Sequence, residues 1–89
     1  MRSADAETLA LKALAFLARD TDALLRLLTL SGLELDDLRE RAGEPELLAA
    51  VVDFLLSDDP LLARFAEEEG LDVHMVHAAR RELPGATQF

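Results

Sequence analysis

The chain has 89 residues, 51% of them hydrophobic, and carries 18 Asp and Glu against 9 Lys and Arg, a formal charge of −9. That length fits one compact domain and leaves no room for a second, and the absence of Cys excludes disulfides, thiolate metal sites and a thiol nucleophile. The acid excess opposes nucleic acid, whose phosphates must be neutralised by Lys and Arg, and opposes anionic membrane surfaces as well.

Twenty Leu and 15 Ala stand against 4 Val, 4 Thr and no Ile. Leu and Ala form helices, while β-branched residues favour strands, so the expected fold class is all-α, a compact bundle of about six short helices. The first helix is predicted over residues 5–19, and Asp20-Thr21-Asp22 caps the next. The second runs over 22–31 to Gly32, and the short third over 35–42 to Gly43. The fourth opens at Pro45 and reaches about residue 56. Asp58-Asp59-Pro60 ends it and opens the fifth, which stops at Gly70. The sixth is capped by Asp72 and stops at Leu83, before Pro84-Gly85. Residues 1–85 are read as one helical domain and 86–89 as a mobile tail.

No apolar run exceeds six residues (13–18 and 47–52), whereas a membrane-spanning helix needs about 20. Acids at positions 5 and 7 precede any apolar stretch, unlike a signal peptide. A cytoplasmic protein is expected.

An offset of 38 residues aligns the two halves without a gap. Leu9 falls on Leu47, Phe16-Leu17 on Phe54-Leu55 and Asp20 on Asp58. Leu24 falls on Leu62, Arg26 on Arg64 and Gly32-Leu33 on Gly70-Leu71. These are eight identities over residues 7–43, read as a three-helix unit repeated over 7–43 and 45–81; two convergent helical hairpins sharing caps is the competing reading. At about 100° per residue, the large apolar residues of helices one and four each sweep roughly 200° or more. A surface helix shows a stripe little wider than about 100°. Both are therefore expected to be central, packed on each other near a pseudo-twofold axis.

The copies diverge at the end of their second helices. Leu28-Thr29-Leu30-Ser31 in the first stands where Ala66-Glu67-Glu68-Glu69 stands in the second. Leu25, Leu28, Leu30 and Leu35 are accordingly candidates for an exposed apolar patch and a self-association face, unless helices one and three cover them. Charge is also uneven, because residues 44–69 hold eight acids and only Arg64. Within that segment Asp58, Asp59, Glu67, Glu68 and Glu69 are candidates for docking a basic protein. The last three sit at a helix C-terminus, where the dipole disfavours negative charge; a solvated run is the competing reading.

Other motifs are weaker. Residues 35–47 resemble a helix-turn-helix, but the second helix offers Glu44, Glu46 and Asp53 and no base, so no nucleic-acid partner is expected. Asp72, His74 and His77 are weak candidates for a metal site on one helix face, without the further ligands such a site needs. Ser3, Ser31 and Ser57 lack a nucleophile elbow, and no glycine-rich phosphate loop is present. No catalytic residue and no cofactor is assigned.

Thr29-Leu30-Ser31-Gly32-Leu33, Asp37-Leu38-Arg39 and Val51-Val52-Asp53-Phe54-Leu55-Leu56 together resemble the signature of a family of short bacterial proteins, domain of unknown function 3572. Ser31 stands where that pattern has Thr, and Glu34 where it has an Asp cap. The resemblance spans about residues 9–85 and implies a bacterial, cytosolic, stand-alone helical protein. It implies no activity, ligand or catalytic residue. The leading expectation is a non-enzymatic interaction module that forms a homo-oligomer, most simply a dimer. An adaptor for a basic protein partner, or a metal-binding or enzymatic protein, are the alternatives.

Overall fold

Six helices make up the computed structural model, which describes residues 1–84; the tail expected at 86–89 lies outside the described residues. They are α1 (Ser3–Ala18), α2 (Thr21–Ser31), α3 (Leu35–Glu40), α4 (Pro45–Leu56), α5 (Asp59–Glu69) and α6 (Val73–Arg81). No strand occurs among the described residues. The fold is an all-α bundle.

Local chemistry sets the boundaries. The Asp20 carboxylate accepts the Ala23 N–H at 3.2 Å to open α2, and Asp58 accepts the Leu61 N–H at 3.2 Å to open α5. Both helices close on a left-handed glycine, Gly32 at φ 74° and Gly70 at φ 65°, a conformation that would strain any side chain with a Cβ. Pro45 occupies the first turn of α4, where its missing N–H costs no hydrogen bond. Asp72 caps α6 by accepting the His74 N–H at 2.8 Å. The third helix is shorter than its sequence predicts. It ends at Glu40 because Arg41 leaves the helical region (φ −111°, ψ 14°), two residues before the Ala42-Gly43 stop signal.

The 38-residue offset relates the helix limits: α1 and α4 end at 18 and 56, α2 and α5 span 21–31 and 59–69, and α3 and α6 begin at 35 and 73. It also relates contacts between the halves. Arg26 of α2 pairs with Asp58 at 2.9 Å and lies over the Phe54 ring at 5.6 Å. Arg64 of α5 pairs with Asp20 at 3.5 Å and lies over Phe16, also at 5.6 Å. Each half thus places its arginine on the cap and the phenylalanine of the other.

The core is apolar throughout, and no polar or charged residue is buried among the described residues. The most extensive helix contact is α1 on α4, and α4 also touches α2, α5 and α6. Leu47, Leu48, Ala49, Val51, Val52, Phe54 and Leu55 of α4 are all buried, so α4 is central as its wide apolar arc requires. The arc of α1 is only partly used. Ala6, Leu9, Ala10, Ala13, Phe16 and Leu17 are buried, while Leu11 stays 43% exposed and Leu14 is half-buried. The reason lies in α3, which touches the bundle lightly and is anchored through Leu38. An edge-on contact of Phe16 with Phe65, centroids 5.5 Å apart, ties α1 to α5.

Leu55, fully buried, is predicted to cost about 2–5 kcal/mol on truncation to Ala. Leu11→Ala on the uncovered side should stay within about 0.5 kcal/mol. Urea denaturation of the two variants checks the contrast.

Candidate functional site

Helix α2 presents the leucines singled out from the sequence, and the structure divides them. Its inward line is Ala23 and Leu27, both buried. Leu28, one residue further round, is half-buried and packs against the core. Leu25 and Leu30 point outward, 55% and 74% exposed, and share a shallow depression with Arg26 and Thr29. Leu35 falls elsewhere. With Leu14 and Ala18 of α1, Leu24 of α2, and Leu38, Arg39 and Ala42 it lines a groove of about 450 Å³ between α1, α2 and α3. The half-buried Leu14 of the α1 arc lies in this groove. The four leucines expected to form one patch therefore belong to a ridge (Leu25, Leu30), the core margin (Leu28) and a groove (Leu35).

A helical-wheel reading could not have separated them, because it required the position of α3. The groove itself had a signal in the sequence. Leu35, Leu38 and Ala42 recur at helical spacing with Arg39 beside them, while Asp36, Asp37 and Glu40 fall on the other side of the helix. The Asp37 carboxylate accepts the Glu34 N–H at 2.9 Å, which turns it away from the groove towards the helix start.

A second groove, of about 550 Å³, runs between α1 and α6, with Met1, Leu9, Leu71 and Met75 as its apolar wall and Asp5 and Lys12 at its polar edge. Lys12 there faces Glu69 at 3.9 Å.

Three of the five acidic candidates, Asp58, Glu68 and Glu69, are engaged within the chain. Asp58 caps α5 and pairs with Arg26. Glu68 pairs with Arg19 at 3.3 Å and Glu69 with Lys12, so the acidic end of α5 lies against the basic strip of α1. Its apparent misfit with the helix dipole is answered by neighbours in space. Asp59 and Glu67 are exposed. Asp53 is held by Arg80, which also donates to the Leu83 and Pro84 carbonyls at 3.3 and 2.9 Å and locks the end of α6. The metal candidates are not gathered either: Asp72 serves as a cap, His74 and His77 are exposed, and no cluster of three potential ligands exists among the described residues.

The Asp58 carboxyl is held below the ordinary carboxylate range. The Leu61 N–H that it accepts contributes most, partial burial opposes it, and Arg26 and Arg64 add to it.

Residues 3–86 match the family model described as protein of unknown function (DUF3572). The chain belongs to that family. The match takes in all six helices and the three motifs that carried the resemblance in the sequence. Comparison with curated proteins and with solved structures gave no match. No helix among the described residues is long and apolar enough to cross a membrane.

A carboxylate whose pKa is lowered in the folded state stabilises the fold above its unfolded pKa and ceases to do so as pH falls through the folded value. Asp58→Ala is predicted to cost about 1 kcal/mol at neutral pH, the ordinary worth of an N-cap. Asp58→Asn should lose less of its stability than the wild type as pH drops below about 4. Urea melts at stepped pH measure both.

Proposed function

We propose that this protein is a non-enzymatic interaction module that self-associates through the outer face of α2, forming a dimer. The observation that carries this reading is the pair Leu25 and Leu30, exposed on one helix and bordering one depression with Arg26 and Thr29 between them. At the matching positions the second half has Ala63 and Glu68, so two related helices in one fold differ in whether they present grease or charge. Contiguous exposed apolar surface on a small domain marks an interface. The internal pairing of Asp58, Glu68 and Glu69 leaves less charge for a basic partner, and the acidic segment is not proposed as a docking surface. A bacterial source and a cytoplasmic setting, which the sequence implied, belong to the same reading. The reciprocal contacts of Arg26 and Arg64 support treating residues 7–43 and 45–81 as two copies of one three-helix unit.

Sedimentation equilibrium at tens of micromolar is expected to show a dimer for the wild type and monomers for Leu25→Glu and Leu30→Glu, all with unchanged helical circular dichroism. Both side chains lie outside the core, so these variants probe association more cleanly than a change at the half-buried Leu28. A monomeric wild type overturns the proposal.

A further inference from the structure

The groove borders α2 beside one end of the ridge; Leu30, at the other end, borders the cleft between α2 and α4 with Leu27 and Phe54. Leu24 lines the groove, and Leu25, the next residue of α2, lines the neighbouring depression. The groove is apolar and free of acid in a chain with 18 acids. Arg39 is the one charged side chain in its lining. Six of the nine basic residues (Lys12, Arg19, Arg26, Arg41, Arg64 and Arg80) form ion pairs within the fold. Arg39 forms none among the described residues, and of the three bases left it alone lines a groove described above. On the ridge, Asp22 sits one turn before Leu25 and is exposed. Its natural helical neighbour, Arg26, is already taken by Asp58 at 2.9 Å.

One face therefore carries an apolar knob with an acid beside it and an apolar hole with a base beside it. A twofold interface needs that self-complementarity, since each copy must supply both halves of every contact. We propose that this face seats a second copy of the chain about a twofold axis. Leu25 of each copy enters the groove of the other, and Asp22 of each pairs with Arg39 of the partner subunit.

This deepens the self-association through α2 and rests on it. Two leucines alone fall well short of the roughly 800 Å² per partner that a stable interface buries, and the groove adds its apolar lining to them. Two chains of charge −9 repel at a distance, so close approach is least opposed at a groove whose lining holds no acid. The groove between α1 and α6 fits a second copy less well. Asp5 lies on its edge, and its base, Lys12, is already opposite Glu69.

The test is a charge-reversal cycle read by sedimentation equilibrium at tens of micromolar, alongside Leu30→Glu. Asp22→Arg and Arg39→Asp should each weaken the dimer at least about a hundredfold, because every reversal places like charges together twice. The double variant should recover most of the association. Thermal melts monitor folding, and Asp22→Asn with Arg39→Gln carry the same cycle at smaller amplitude if a reversal unfolds. A wild-type dimer broken by Leu30→Glu but indifferent to both reversals overturns this seat and leaves the α2 reading standing. Single variants that dissociate without recovery in the double variant overturn the Asp22–Arg39 pairing. A monomeric wild type overturns both readings.

Discussion

The packing of α1 on α4 is the constraint that the rest of the molecule obeys. With no Cys in the chain and no buried polar group among the described residues, nothing but apolar contact holds the interior. The two broadest apolar helices supply most of it. The other elements are placed by what that pair leaves uncovered: α2, α5 and α6 against its flanks, and α3 lightly over the end of α1. The crossed arginines sit at the corners of this arrangement. Exposed ion pairs contribute about 0–1 kcal/mol, and an exposed arginine over an aromatic ring about 0.5–1. Burial of a single Leu is worth about 1.5–3. Packing therefore supplies the stability, and the arginines fix how the two halves are aligned.

Charge follows the same division. The segment 44–69 looks like a strongly acidic block in the linear chain. In space, Glu44, Asp53, Asp58, Glu68 and Glu69 each meet a base from outside the segment, and its lone Arg64 meets Asp20. Three of these acids, Asp58, Glu68 and Glu69, join the two halves through their pairs. What remains for the surroundings is the face around α2, where Leu25 and Leu30 are exposed and Arg39 forms no ion pair among the described residues.

Much of this was legible along the chain. Asp20, Asp58 and Asp72 announce helix starts because a short carboxylate can reach an N–H two or three residues on. Gly32 and Gly70 announce ends because they alone accept a left-handed backbone without strain. Such signals are local, and the helices fall where they point. The breadth of the apolar arc on α4 gave its central position for the same reason. The structure departs from expectation where the deciding partner is distant in sequence. Leu28 turns to the core while Leu30 does not, and Leu35 joins a groove with α1. Glu68 and Glu69 find Arg19 and Lys12 some fifty residues away. None of these outcomes follows from periodicity, because each depends on which helix lies alongside.

The reciprocal placement of Arg26 and Arg64 bears on how the chain comes apart. The carboxylate that starts α5 is completed by a side chain from α2, and the one that starts α2 by a side chain from α5. Neither half reaches its finished helix entry while the other is open, and both lose apolar cover together. Opening is thereby coupled across the middle of the chain, so the halves behave as one cooperative unit. Only α3, with Leu38 as its single buried anchor, stands outside that coupling. It is the segment able to lift away by itself, which would widen the groove it roofs while the rest of the bundle stays closed.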